Sequence, residues 1–246
     1  MENQKLLSLT NINKSFFTAN SQIEVLKDIS FCINSNQIVA LLGPSGCGKS
    51  TILNILSNLE KPTSGELIIN CKLGYMFQKD ALLPWRNIYS NICLGLEISK
   101  TRTQENLNYA LSLIDKYKLK EFINSFPSQI SGGMKQRVAL IRTLVLKPDL
   151  LLLDEPFSAL DAQTKIAVQN DVFNIIKQEN KSALIVTHDI GEAIALADKI
   201  IILSERPSSI KGIINIEFNK LSPKDRRISP LFNNYHTQIS QLLGII

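Results

Sequence analysis

Gly43-Pro44-Ser45-Gly46-Cys47-Gly48-Lys49-Ser50-Thr51 decides the fold of this chain. It matches G-x-x-x-x-G-K-[ST], a loop that wraps backbone N–H groups around nucleotide phosphates. The apolar run Gln37–Leu42 precedes it, and Ile52, Ile55, Leu56 and Leu59 follow at helical spacing. A strand that feeds a Gly-rich turn into a helix N-terminus aims positive partial charge at an anion. Gly43, Gly46 and Gly48 permit torsions and close approaches that a Cβ would block. Lys49 can reach the β- and γ-phosphates, and the Ser50 hydroxyl can ligate Mg²⁺. The loop therefore predicts binding of a nucleoside triphosphate.

Leu150-Leu151-Leu152-Leu153-Asp154-Glu155 reads as a buried strand ending in two carboxylates. Asp154 can hold the Mg²⁺ shell beside the phosphate loop. Glu155, on the other side of the strand, can polarise an attacking water as general base. Ser131-Gly132-Gly133 opens a further helix, with Ser131 as its cap and the glycine amides open to a second anion contact. Taken alone, that triplet is only a helix start.

Around these motifs, short apolar runs alternate with helical patterns. Strands are expected at Leu6–Leu9, Glu24–Leu26, Gln37–Leu42, Glu66–Ile69, Leu73–Phe77, Leu150–Asp154, Ala183–Thr187, Ile200–Leu203 and Ile213–Phe218. Helices are expected at Gln104–Lys116, Gln163–Gln178, Gly191–Ala197 and Asn233–Leu243. Continuous rather than alternating apolar strands imply a mainly parallel sheet covered on both faces. Residues from about 80 to 145 carry no convincing strand and read as an inserted helical lobe.

The 246 residues fit one large α/β domain. No apolar run approaches the roughly 18 residues of a membrane-spanning helix. The N-terminus lacks the apolar region of a signal peptide, so a cytoplasmic protein is expected. A net charge of +5 suits an anionic ligand or surface without choosing one. Lys116, Lys118 and Lys120, and the group Lys224, Arg226 and Arg227, read as solvated faces. The four cysteines lack C-x-x-C spacing and read as reduced thiols, with alkylation of Cys47 expected to block nucleotide entry.

With these residues in order, the chain resembles an ATP-binding cassette (ABC) ATPase over nearly its whole length. Gly43–Thr51 stands as its Walker A loop, Gln78 as the Q-loop glutamine, and Ser131, Gly132 and Gly133 as the signature. Asp154 and Glu155 end its Walker B strand, Ser158–Asp161 matches the D-loop, and His188 fits the switch histidine. The resemblance implies a P-loop NTPase (RecA-like) core, an N-terminal antiparallel β portion and an inserted helical subdomain. The ATP-binding domain would span residues 6–236, with 237–246 as a C-terminal helix end. It also implies ATP and Mg²⁺ as ligands, the metal held by Ser50, Gln78 and Asp154. Two copies would pair head to tail, so that each ATP lies between one Walker A loop and the opposite signature. Phe16 would stack on adenine, with Phe17 as the alternative and one of the two in the core. Stacking reads the base edge weakly, so GTP can also be accepted.

Within that family the chain looks most like the ATPase subunits of nitrate/sulfonate/taurine-type importers. Gln78–Trp85, Met134–Arg137, Ser204–Pro207 and Ser229–Phe232 carry the likeness. Leu83, Pro84 and Trp85 would line a groove for a separate membrane permease, the alternative being that Trp85 fills the lobe's core. The expected setting is peripheral, on the cytoplasmic face of the membrane, with an extracytoplasmic binding protein delivering solute and no nucleic-acid partner. Exporter ATPases and soluble ABC proteins acting on nucleic acid or ribosomes are the competing classes. Asn58 departs from the family by standing where many relatives have Gly, and the stretch between Glu66 and Gly74 is short. No C-terminal regulatory domain is expected.

Overall fold

Ile38–Leu42 form β3, and all five side chains are buried. A run this apolar is stable as a strand only with a layer on each face. β3 pairs in parallel with β7 (Ser182–Thr187) on one edge and β8 (Lys199–Leu203) on the other. β6 (Leu150–Asp154) lies beyond β7, and β5 (Leu73–Met76) beyond β6, both parallel. β9 (Ile210–Asn215) closes the far edge antiparallel to β8. The order is β5-β6-β7-β3-β8-β9. Register aligns Leu42 with Thr187, and Val186 with Asp154. The carboxyl ends of β3, β6 and β7 therefore open onto one crevice, where ligands bind in sheets of this kind. The computed structural model describes residues 4–17, 21–78, 80–218 and 221–245.

β1 (Lys5–Phe17), β2 (Gln22–Asn34) and β4 (Ser64–Ile69) make a separate antiparallel sheet, ordered β2-β1-β4. Its apolar face joins α1 (Lys49–Leu56) and one side of the parallel sheet in a common core that includes Leu7, Ile29, Ile52 and Leu152. The first two strands far outrun the short segments expected from apolar runs. Bulges interrupt their register, and polar side chains patch the breaks. Asn11 N–H donates to Ser30 Oγ at 2.8 Å, and Asp28 N–H donates to Asn13 Oδ1 at 2.9 Å. Asn58, just past α1, has φ of 58°, a left-handed conformation that Asn tolerates in place of Gly.

Between β5 and β6 the described residues form α2 (Ile88–Ile92), α3 (Leu94–Ile98), α4 (Gln104–Lys116) and α5 (Gly132–Leu144), with two 3₁₀ turns. These helices and α6 (Ala162–Gln178) share one core with the other face of the parallel sheet, through Ile92, Leu113, Ile141, Leu153 and Ile176. A third cluster joins β3 and β8 to α7 (Ile190–Leu196) and α9 (Pro230–Leu243), with Ile239 fully buried.

α8 (Pro223–Ile228) corrects the expectation of a solvated basic group. Arg226 is 4% exposed. It donates to the Ala197 carbonyl at 2.8 Å, and its guanidinium lies 5.3 Å from the Phe173 ring and 5.4 Å from Phe218. A buried guanidinium is tolerable only with such partners. β9 also starts three residues earlier than expected, and α9 starts at Pro230, with proline in the first turn where its missing N–H costs nothing.

Candidate active site

The phosphate loop connects β3 to α1. Gly46 and Gly48 have φ of 77° and 111°, which a Cβ disfavours. At Gly48 a Cβ would also lie 2.8 Å from Leu26 Cδ2. No side chain caps α1, so its first amides are open to a ligand. Lys49, 6% exposed, donates to the Gly43 and Pro44 carbonyls at 2.8 and 2.9 Å. Its ammonium is thus held against the loop. Ser45, Gly46, Gly48, Lys49, Ser50 and Thr51 line a cavity of about 420 Å³ together with Phe16, Ile23, Val25, Glu155 and Arg206. Gly43, Pro44 and His188 line the neighbouring one. Phe16 is 37% exposed and Phe17 69%, so neither is core, and only Phe16 faces the phosphate-loop cavity. Cys47 is 1% exposed and burial pushes its thiol up. A buried thiol kept protonated in this way reacts slowly with alkylating agents.

Across the crevice, Glu155 follows β6. Gln78 Nε2 donates to its Oε2 at 3.3 Å, and His188 Nδ1 lies 3.1 Å from its Oε1. Its φ of 42° is strained for a non-glycine residue. The backbone is held there by Glu155 N–H on the Val186 carbonyl at 3.0 Å and by Ser158 Oγ donating to the Glu155 carbonyl at 3.0 Å. Burial pushes the Asp154 carboxyl up, and the Glu155 charge adds to it. Hydrogen bonds from Tyr75 and Ser50 and the charge of Lys49 oppose this. Tyr75 OH donates to Asp154 Oδ2 at 3.4 Å and is itself pushed up to about 12, mainly by burial. A desolvated carboxylate with a serine hydroxyl near it offers oxygen donors that suit a hard divalent cation.

The signature lies elsewhere: Ser131, Gly132 and Gly133 do not line the phosphate-loop cavity. Ser131 caps α5, its Oγ accepting from Met134 N–H at 3.3 Å. Ser131 and Gly132 are exposed, whereas Gly133 is buried, where a Cβ would lie 2.7 Å from Val168 Cγ2 on α6. Both glycines were expected to expose amides; the second serves helix packing. Asp161 caps α6, accepting from Thr164 N–H at 3.0 Å. That backbone hydrogen bond holds its carboxyl below the usual range.

The Leu83-Pro84-Trp85 turn projects from the lobe, and Trp85 is 72% exposed. This excludes the core-filling alternative for Trp85. Lys79, in the same stretch, lies outside the described residues. The turn is fastened by Asn91, which is fully buried on α2. Its Oδ1 accepts from Leu83 N–H at 2.7 Å, and its Nδ2 donates to the carbonyls of Leu83, Arg86 and Asn87. Arg142 on α5 donates to the Asp80 and Ala81 carbonyls. Nothing in the apolar periodicity marks Asn91 or Arg142.

Beside His188, a partly buried ionic cluster joins α6 to α7. Lys165 Nζ lies 2.7 Å from Asp189 Oδ2 and 3.3 Å from Glu192 Oε2. Asp189 caps α7 through Glu192 N–H at 2.9 Å. Burial pushes Glu192, 3% exposed, up to about 7 despite Lys165. Its other oxygen has no hydrogen-bond partner among the described residues.

A phosphate loop joined to a strand-end carboxylate pair places the molecule among the P-loop nucleotide hydrolases. Comparison with known proteins narrows the class. The family model "ABC transporter" matches residues 26–158. The chain is 42% identical to the uncharacterized ABC transporter ATP-binding protein YtlC of Bacillus subtilis, over 92% of this chain and 91% of that one. It is 36% identical to the aliphatic sulfonates import ATP-binding protein SsuB of Bacillus anthracis, over 96% of this chain and 94% of that one. Among solved structures it resembles the dimeric post-hydrolysis state of the ATP-binding cassette MJ0796 bound to ADP and Pi. The TM-score is 0.72 at 31% identity, covering 86% of this chain and 99% of that one. The chain belongs to the ABC transporter ATP-binding family and is an ABC ATPase.

Proposed function

We propose that this chain is the ATP-hydrolysing subunit of an importer, energising uptake of a small nitrate-, sulfonate- or taurine-like solute through a separate permease. The observation that carries the catalytic part is the Glu155 carboxylate, held between Gln78 and His188 at the lip of the phosphate-loop cavity. Glu155 takes the proton of the attacking water, and His188 orients that carboxylate and contacts the γ-phosphate. Lys49 turns from the loop carbonyls to the β- and γ-phosphates, and the α1 amides neutralise the rest. Phe16 stacks on the base. Ser50, Asp154 and Gln78 would hold Mg²⁺, which when bound supplies positive charge to the phosphate oxygens.

In this reading the site is completed by a second copy. Its Ser131, Gly132 and Gly133 meet the γ-phosphate, and Asp161 fixes the adjoining D-loop. The absence of the signature from the cavity of a single chain supports this arrangement, as does the dimeric state of MJ0796. The exposed Leu83-Pro84-Trp85 turn docks on the permease at the cytoplasmic face. A prominent aromatic on a proline-fixed turn suits such an anchor. No helix among the described residues is long and apolar enough to cross a membrane, so the path for solute belongs to the permease, supplied by an extracytoplasmic binding protein. The named function of the SsuB relatives supports the solute class.

Two experiments test the reading. Glu155→Gln should keep ATP affinity while hydrolysis falls roughly 10²–10⁴-fold, with an ATP-bound dimer accumulating on a sizing column. Near-normal turnover would remove Glu155 as the base. Mass spectrometry of what co-purifies from gently solubilised membranes should find a multi-spanning permease; ribosomal or DNA-processing proteins in its place would overturn the importer reading.

A further inference from the structure

Arg206 lines the phosphate-loop cavity, yet it comes from the loop after β8, far from every motif that built the site. The side chain is exposed and makes no hydrogen bond or ion pair among the described residues. The loop that carries it is fixed on two sides. Ser208, fully buried, donates its N–H to the Val25 carbonyl at 2.8 Å, and its carbonyl accepts from Lys27 N–H at 2.8 Å. Its hydroxyl donates to the Ser204 carbonyl at 3.3 Å, which ties the two ends of the loop together. Val25 in turn packs against Gly48, where a Cβ would lie 3.0 Å from its Cγ1. Arg206 is therefore a cation on a fixed mount beside the Gly48 turn, next to the apolar wall made by Phe16, Ile23 and Val25. An unpaired guanidinium beside a polyanion site forms charge-assisted, often bidentate hydrogen bonds with phosphate oxygens.

We propose that Arg206 is a nucleotide-binding residue, clamping the phosphate chain at its ribose end while Lys49 serves the β- and γ-phosphates. This rests on the nucleotide reading of the same cavity. The role distributes the work: the open α1 amides and the buried Lys49 serve the far phosphates, and Arg206 closes the solvent side.

Calorimetric titration of the full chain with ATP, ADP and adenosine tests it, with Arg206→Ala, Arg206→Lys and Lys49→Ala alongside wild type. Arg206→Ala should weaken ATP and ADP about tenfold at low salt, the size of one charge-assisted hydrogen bond. Adenosine affinity should be unchanged, and Arg206→Lys should recover part of the loss. The gap should narrow at high salt, because the contact is exposed. Unchanged ATP affinity in Arg206→Ala, with Lys49→Ala still weakened, overturns the proposal and leaves the phosphate-loop reading standing. An equal loss for adenosine also overturns it, since that would mark a displaced loop rather than a lost phosphate contact. Unchanged affinity in both variants would sink the cavity reading and the proposal with it.

Discussion

α1 and α5 both begin at a glycine-rich turn on the family's signature motifs, but the glycines are there for different reasons. At α1 the demand is conformational: Gly46 and Gly48 sit at positive φ, no side chain caps the helix, and the amides stay open. At α5 neither glycine has positive φ, Ser131 caps the helix, and Gly133 is needed so that α6 can approach. The first start is built to hold an anion by itself. The second is a well-finished helix end that offers only its exposed rim, Ser131 and Gly132, to something arriving from outside.

Substitutions can break or sharpen that contrast. Gly48→Ala should do most damage, combining left-handed strain with overpacking against Leu26 and Val25, together roughly 2–5 kcal/mol. Thermal unfolding should register it, and ATP binding by the isolated chain should collapse; retained affinity would mean the loop does not need its conformation. α7, the third helix starting at the crevice, gives the next effect, in its pH dependence. Glu192 keeps its proton up to about 7 in the folded chain, whereas the unfolded chain releases it near 4.5. Between those values the folded state holds the extra proton, so stability falls as pH rises through the window. The change is about 3 kcal/mol at 1.36 kcal/mol per unit. Glu192→Gln should flatten that slope in denaturant melts from pH 4.5 to 7, and an unaltered slope would show that Glu192 ionises normally.

Gly133→Ala should cost about 1–3 kcal/mol through the clash with Val168. ATP affinity of the isolated chain should stay near wild type. If binding falls as far as in Gly48→Ala, the two helix starts are not different in kind. Ser131→Ala should have the smallest effect on stability, about 1 kcal/mol for a lost cap. Its larger effect should be on ATPase activity at concentrations where copies pair, and equal activity would remove Ser131 from the shared site.

The parallel core and phosphate loop were legible because two-sided burial forces continuous aliphatic strands, as in Ile38–Leu42 and Leu150–Leu153. The antiparallel sheet was half hidden, since Asn11, Asn13 and Asp28 at its bulges break the apolar pattern. α2, α3 and α8 are too short, at five or six residues, to show a helical period. Arg226 reads as surface until Ala197, Phe173 and Phe218 close around it, and those partners are distant in sequence. Arg206 was quoted only as a family likeness, because its place in the cavity depends on Ser208 returning to β2. For Trp85, spacing alone left two readings, and exposure removed one.

Asn91 gives the lobe a mechanical property. A fully buried side chain that accepts from Leu83 N–H and shares its two amide hydrogens among three carbonyls cannot swivel without breaking several contacts at once. Leu83–Asn87 and α2 therefore have little slack between them and respond to a push as one stiff body. α2 rests on α5, and Arg142 of α5 also grips the start of the same turn. A load applied at Trp85 is thus delivered, with little lost in bending, to the helix whose first residue follows Ser131.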